Sequence, residues 1–385
     1  MAAPDRRPER GIRTFQNRLA ERPKGRYRIG NVDVRCSVQL LPPRIYSLLG
    51  YRRWQHERLI TRVSWCENIS LPVRRRTQPL GARSGMPDLP SVRQTRKMPS
   101  EMILTFLGTA AANAFPEAFC KCPNCIRARM LAGPSLRKRA AALINDDLLI
   151  DLGPDIESAS QIHQCSLGNV QYCLQTHPHA DHLDLSHLLS RSSGFGVVGA
   201  PVLNFYASRE TWKRAAEIFA EVLADYSLLS SEAEERLNFK IHEIQPLEPL
   251  TVGPYRVVPF PANHAPGMGA TLYSVEANGR TIFYGTDTAP LSDETWQAFS
   301  RRKVRFDCVV LDHTYGPEQR GEDHLNAHQL IEHAQRMRAQ GMLAPNARIF
   351  ATHIAHEGNP AHPDLVAFAQ QHGYEVAYDG LILPI

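Results

Sequence analysis

The tightest constraint on the fold of this chain is Thr176-His177-Pro178-His179-Ala180-Asp181-His182, which sets three imidazoles and one carboxylate within the six residues His177 to His182. Holding so many ionisable groups together in a folded protein is costly unless something pairs them. Imidazole and carboxylate are natural ligands for divalent cations, so one or two metal ions are the expected partner. The run follows Val170 to Leu174, an apolar-ended segment that reads as a strand. Its ligands would then occupy the loop at that strand's carboxyl end, where α/β sheets carry their chemistry. A lone histidine here would read as a surface loop residue; the full H-x-H-x-D-H pattern does not.

Later polar positions extend the pattern. His264 (Pro261-Ala262-Asn263-His264), Asp287 (Tyr284-Gly285-Thr286-Asp287-Thr288) and His353 (Ala351-Thr352-His353) each follow a strand-like run, and His324 precedes a helix expected to start near Ala327. Because a carboxylate bridges two cations, the expected arrangement is His177, His179 and His264 on one metal, Asp181, His182 and His353 on the other, and Asp287 between them. Two such metals, about 3.5–4 Å apart, generate a hydroxide at neutral pH and clamp an in-line displacement.

The remaining pattern fits one domain of sheets flanked by helices over 102–385. Strands are expected at Ile103–Gly108, Ala140–Ile144, Leu148–Asp151, Val252–Phe260, Thr271–Glu276, Thr281–Tyr284, Val309–Asp312 and Ala347–Ala351. Asn145-Asp146 and Asn278-Gly279 supply hairpin turns. Helices are expected near Ile126–Met130, at 155–164, across 209–238 with Trp212, Ala215, Ile218, Phe219 and Val222 on one side, and at Ala327–Ala339.

Charge divides the chain at the same place. Residues 1–101 hold 22 Lys and Arg, of which 20 are Arg, against 8 Asp and Glu, a balance of +14; the remainder holds 22 against 31, or −9. An acidic catalytic body is a poor platform for a large nucleic-acid footprint. The N-terminal region shows Arg74-Arg75-Arg76, scattered prolines and no sustained period. It has no secretory h-region, and no stretch of the chain is long and apolar enough for a membrane span. It reads as a disordered basic arm, as an Arg-rich targeting peptide, or as an over-extended reading frame whose true start is Met98 or Met102. The last is favoured because the pattern Ile103-Leu104-Thr105-Phe106-Leu107-Gly108 begins directly after Met102. Of eight cysteines, three lie in Cys120-Lys121-Cys122-Pro123-Asn124-Cys125, a spacing that suits a metal better than disulfides and points to a reducing, cytoplasmic compartment.

This constellation resembles the metallo-β-lactamase fold superfamily over residues 102–385, which implies an α/β fold, a four-layer αββα sandwich. Within it the chain is similar to the phosphoribosyl 1,2-cyclic phosphate phosphodiesterases of the carbon–phosphorus lyase pathway, on two further motifs: the early turn Leu107-Gly108-Thr109 and the C-x-C-x-x-C run. The resemblance implies a structural zinc on Cys120, Cys122, Cys125 and a histidine three residues after the last active-site ligand, here His356. It also makes His324 the counterpart of the family's general acid or phosphate-contacting histidine, with His313 or His328 as alternatives; Asp312, at an expected strand end, reads instead as a carboxylate that orients a ligand histidine. Phe115-Pro116 is similar to the pyrroloquinoline-quinone biosynthesis B proteins, whose metal motif is degraded where this one is intact. The tRNA 3′-end endonucleases share the two-metal site, but Glu221, Glu232, Glu234 and Glu235 make 209–238 a poor RNA clamp.

The expectation is a hydrolase with two divalent ions, zinc or manganese, at the active site and one structural zinc. His324 and Asp181 would be its catalytic side chains, and a small cyclic or nucleotide-like phosphodiester its substrate. Alternatives on the same fold are a lactone or thioester hydrolase, and a non-catalytic metal-containing biosynthesis or binding protein. No membrane is expected as a partner, and no nucleic acid for the catalytic domain; a homodimer stays open, and substrate-binding residues are not legible.

Overall fold

The computed structural model describes residues 26–29, 32–35, 101–222, 226–317 and 321–385, and the chain divides into two units, 1–90 and 91–385. In the first unit, β1 (Arg26–Ile29) pairs antiparallel with β2 (Val32–Arg35). The rest of the Arg-rich region, and with it the expectation of a disordered or over-extended segment, lies outside the described residues.

The second unit runs through β3 (Ile103–Gly108), β4 (Ala141–Ile144), β5 (Leu148–Ile150), β6 (Tyr172–Leu174), β7 (Leu203–Ser208) and β8 (Phe239–Ile244). It continues with β9 (Leu250–Val252), β10 (Tyr255–Pro261), β11 (Thr271–Ala277), β12 (Arg280–Gly285), β13 (Phe306–Asp312), β14 (Leu343–Thr352), β15 (Glu375–Val376) and β16 (Ile382–Pro384). These strands make two seven-stranded sheets, ordered β16-β3-β4-β5-β6-β7-β8 and β15-β14-β13-β12-β11-β10-β9. Each sheet is antiparallel in one part and parallel in the other: β5 to β8 in the first, β12 to β15 in the second.

Period-two alternation assigns the layers. In β4, Ala142 and Ile144 face a core that also holds Val275, Ile282, Tyr284 and Val310 of the opposite sheet. Ala141 and Leu143, on the other face, pack with Ile156, Leu188, Trp212 and Phe219. These last four belong to α2 (Ile156–His163), α3 (Ser186–Ser190) and α4 (Arg209–Val222). The second sheet repeats the scheme: Phe283, Val309 and Leu311 pack with Trp296, Phe299, Leu330 and Leu365. Those four sit on α6 (Asp293–Arg302), α7 (Ala327–Ala339) and α8 (His362–Gln371), following α1 (Pro123–Leu131) and α5 (Ser231–Arg236) in chain order. The result is the expected αββα sandwich. The first and last strands of the unit meet: β16 pairs with β3, and Ile385 N donates to Met102 O at 2.8 Å.

Two expectations change in detail. Val252–Phe260 is not one strand, because Gly253 takes φ +54 and turns β9 back on β10, with Val252 opposite Tyr255. The span 209–238 is two helices, α4 and α5, the latter capped by the Ser230 hydroxyl, which accepts from Ala233 N at 3.2 Å. No helix among the described residues is long and apolar enough to cross a membrane.

Candidate metal centre

The polar cluster collects at the carboxyl ends of the parallel strands. Asp151 follows β5, His177 lies just past β6, Asp287 follows β12, Asp312 ends β13 and His353 follows β14. Asp151, Asp287 and His353 have φ of 68°, 60° and 58°. A left-handed conformation costs a non-glycine residue roughly 1–2 kcal/mol, but it breaks the pleat where the chain must turn into the cluster.

Buried Asp151 organises the first half. It accepts from Thr176 N (2.8 Å), Thr176 Oγ1 (2.8 Å) and Gln175 Nε2 (3.1 Å), and its Oδ2 lies 2.7 Å from His182 Nδ1. Gln175 Nε2 also donates to the carbonyls of His177 and His182, both at 2.9 Å, closing the histidine loop on itself. Asp312 and Thr314 play the matching part in the second half. Asp312 Oδ1 accepts from Thr314 N at 2.8 Å, and Thr314 Oγ1 lies 2.8 Å from His353 Nδ1. His264 Nδ1 faces the Asp323 carbonyl at 3.2 Å, and His177 Nδ1 faces Thr176 Oγ1 at 3.0 Å. In His177, His182, His264 and His353 one ring nitrogen is therefore tied to the protein and Nε2 is left for the cluster, the arrangement that orients metal-ligating imidazoles.

Those free nitrogens converge. His177 Nε2 is 2.8 Å from His179 Nδ1, which is 3.4 Å from His264 Nε2. His182 Nε2 lies 3.1 Å from Asp181 Oδ2 and 3.4 Å from His353 Nε2. Asp287 joins the two sets: its Oδ2 is 3.2 Å from His177 Nε2, 2.9 Å from His182 Nε2 and 3.5 Å from His353 Nε2. His177, His179, His264 and Asp287 form one group of donors able to hold a cation, and Asp181, His182, Asp287 and His353 a second. Asp287 Oδ1 is buried without a hydrogen bond of good geometry among the described residues, although His324 Nδ1 lies 3.1 Å away. Acceptor nitrogens aimed at one another and an unsatisfied buried carboxylate oxygen are what a donor set for two cations requires, and the residues fit.

Electrostatics follow from the same packing. Burial and the neighbouring His182 hold His177 down at about 4, so it is a free base at neutral pH. Burial opposes the charge on His182, but Asp181 and Asp151 outweigh it and raise that imidazole well above its ordinary value. Asp181 and Asp287 are held far below the carboxylate range, against burial, by His182 and His353 and by His353 and His177 respectively. His324 reaches about 11: burial pulls it down, and contacts with Asp287 and with Asp312 Oδ2 (3.0 Å) lift it. His313, an alternative to His324, is instead buried between Asn359 Oδ1 and Tyr374 Oη, at 2.9 Å each. The cluster opens into a cleft of about 530 Å³, lined also by Asn113, Tyr315, Asp323, His324 and Glu357.

A separate group forms from Cys120, Cys122, Cys125 and His356. His356 Nδ1 lies 3.7 Å from Cys120 Sγ and 3.6 Å from Cys122 Sγ, and Glu357 Oε1 holds its Nε2 at 3.2 Å. Cys122 caps α1, accepting from Cys125 N at 3.4 Å. Burial pushes its thiol up, yet that N–H and His356 bring it down to about 7, whereas burial lifts Cys125 to about 12. Every residue expected to ligate thus falls in one of these three donor groups, and a fourth group, Asp287, Asp312, His324 and His353, adds two residues not expected as ligands. Sequence reasoning did not find Asp151, Gln175, Thr176, Thr314, Tyr315 or Asp323; for Asp151 the one available signal was its place at the end of an expected strand.

Comparison with known proteins agrees with the fold. A family model described as a beta-lactamase superfamily domain matches residues 147–354. The chain is 24% identical over 322 residues to the coenzyme PQQ synthesis protein B of Klebsiella pneumoniae subsp. pneumoniae, covering 74% of this chain and 98% of that protein. Among solved structures it is similar to a diphosphatase from the PhnP family (20% identity, TM-score 0.56, covering 74% of this chain and 97% of that one). It is also similar to zinc-bound PqqB from Methylobacterium extorquens (18% identity, TM-score 0.54, 74% and 100%).

Proposed function

The chain belongs to the β-lactamase superfamily, and from that premise we propose that it is a two-metal hydrolase of a small cyclic or nucleotide-like phosphodiester. The observation that carries the reading is one buried carboxylate, Asp287, common to every donor group of the cluster, with the His324 imidazole against its free oxygen. His177, His179 and His264 would hold one ion and Asp181, His182 and His353 the other. The mixed imidazole–carboxylate set suits zinc or manganese, and Cys120, Cys122, Cys125 and His356 would hold a structural zinc. Bound there, the paired cations supply the positive charge that stabilises a phosphoryl group in displacement and make water acidic enough to act near neutral pH.

The protein's own groups complete the reaction. Asp181 lines the cleft and stays ionised, so beside its place in a donor group it would accept a hydrogen bond that orients the attacking water, whose proton leaves to solvent. Asp312 Oδ2 sits 3.0 Å from His324 Nδ1 and fixes that side of the ring, leaving Nε2 for substrate. As the phosphorus–oxygen bond breaks, Nε2 gives its proton to the departing oxygen. His324 recovers its proton from solvent, and the balance is water plus diester giving monoester plus alcohol.

The PQQ synthesis relative favours a second reading, a biosynthesis protein that keeps its metals without this turnover. One panel separates them: hydrolysis of bis(4-nitrophenyl) phosphate, a lactone and a thioester by protein loaded with manganese or zinc. Diester turnover at least tenfold above the other two substrates is expected. Preference for the lactone or thioester, or no turnover of any, overturns the proposal.

A further inference from the structure

His324 sits on a short segment between Gly321 and the capped start of α7, where Asn326 and Gln329 exchange side chain-to-backbone hydrogen bonds of 2.9 and 3.0 Å. Asp323, just before it, has a side chain 64% exposed. Tyr315 holds this segment from the opposite loop. Its N–H donates to Leu325 O at 3.2 Å, its hydroxyl donates to Asp323 Oδ1, and its ring stands edge-on to His324 at 5.7 Å and 80°. The other carboxylate oxygen, Asp323 Oδ2, lies 4.0 Å from His324 Nε2. That is near enough to bias the ring electrostatically and too far to hold its proton in a hydrogen bond.

The seat of Tyr315 admits no extra atoms. A Cβ on Gly321 would fall 1.9 Å from its ring, and one on Gly358 1.9 Å from its carbonyl oxygen. Gly316, at φ +58, lets the chain pass Gly358 where a Cβ would come within 2.1 Å of that residue's oxygen. Asn359 Nδ2, buried, spans the same gap to the carbonyls of His313, Thr314 and Ala355. The loops after β13 and β14 thus form a slot for one tyrosine, whose ring faces the cleft that holds His324.

We propose that Tyr315 is a positioning residue for proton delivery: through Asp323 it sets the His324 ring so that Nε2 faces the leaving oxygen. This rests on the phosphodiesterase reading. A proton matters little to a departing 4-nitrophenolate and greatly to a more basic oxygen, so loosening His324 should show as a dependence on the leaving group. A role confined to stability would slow every ester alike.

The test uses metal-loaded full-length protein and methyl aryl phosphodiesters whose phenols range from 4-nitrophenol to unsubstituted phenol. In Tyr315→Phe, which keeps the ring in its slot, kcat for the phenyl ester should fall at least ~5-fold more than kcat for the 4-nitrophenyl ester. Asp323→Asn should give the same signature, and the double variant should be no worse than either single one. Equal losses on all esters, or no loss, overturn the positioning role alone. A wild-type protein inert toward every ester overturns the phosphodiesterase reading and this inference with it.

Discussion

His353 and His356 are three residues apart in the chain, yet they are delivered into surroundings built on different plans. Around His353 the donors come from the ends of strands in both sheets, and the tied imidazoles there are anchored on the side away from the cluster by Asp151, Thr176, Thr314 or a carbonyl. Around His356 three thiols come from one six-residue stretch, held mainly by the N–H groups of Cys122 and Cys125 and by the capping turn of α1. The first site is shaped by the fold before any ion arrives. The second is a loop that a cation would itself shape, so its binding energy is folding energy. On the proposed reading, rigid scaffolding suits the first site to chemistry, and ligand-dependent order suits the second to bracing the chain.

That contrast is open to direct attack. The severest blow falls on Asp287→Asn, since every donor group of the candidate centre includes this carboxylate. Metal content should drop from about three ions per chain to about one, with diesterase activity down at least ~10³-fold. Retention of three metals by elemental analysis would show that the two groups do not share Asp287. Next comes Asp151→Asn, which weakens the anchor of His182 without touching a donor. Metal affinity of the catalytic pair should fall ~10–100-fold, read by competition with a chelator, while the thiolate site stays filled; an unchanged affinity would place the rigidity elsewhere.

Cys122→Ser reverses the pattern. Zinc at the thiolate site should be lost and the melting temperature should fall by several degrees, while kcat per filled catalytic site stays within about threefold. A fall in kcat with no change in melting temperature would make the cysteine group part of the chemistry. The smallest effect is one of pH. In zinc-free protein the Cys122 thiol, brought from 9.0 to about 7, favours the folded state above its unfolded pKa, and that contribution is lost as pH falls through about 7. Iodoacetamide labelling of Cys122 should therefore reach half its maximum near pH 7, with Cys125, at about 12, unlabelled. A midpoint near 9 would remove His356 and the Cys125 N–H as thiolate partners.

The parts of this picture that were readable in the chain share a cause. Apolar runs ending in His or Asp mark strands whose carboxyl ends carry donors, and tight spacing marks His177 to His182 and Cys120 to Cys125. What escaped depends on contacts across long separations. Asp151 looks like any turn residue until the fold brings His182 to 2.7 Å from it across 31 positions. Thr314 acquires meaning only beside His353, 39 residues on. β7 and β8 are hard to read because Leu203-Asn204-Phe205-Tyr206-Ala207-Ser208 and Phe239-Lys240-Ile241-His242-Glu243-Ile244 carry polar residues among their apolar ones and flank helical sequence. Gly253 divided an expected strand because its left-handed backbone, pressed against Tyr172, makes a turn where apolar content alone predicts continuity.

The meeting of Met102 and Ile385 makes the second unit almost a closed ring. A linker of a few residues would join those ends, and the Asn278-Gly279 turn between β11 and β12, with Gly279 at φ +72 and open space where a Cβ would go, could be cut instead. Such a circular permutant should keep both sheets and every donor. Shortening the carboxyl end is a different matter. Loss of residues 382–384 would strip β16 from the first sheet and leave the flank of β3 bare, an unpaired edge that invites other chains to add to it.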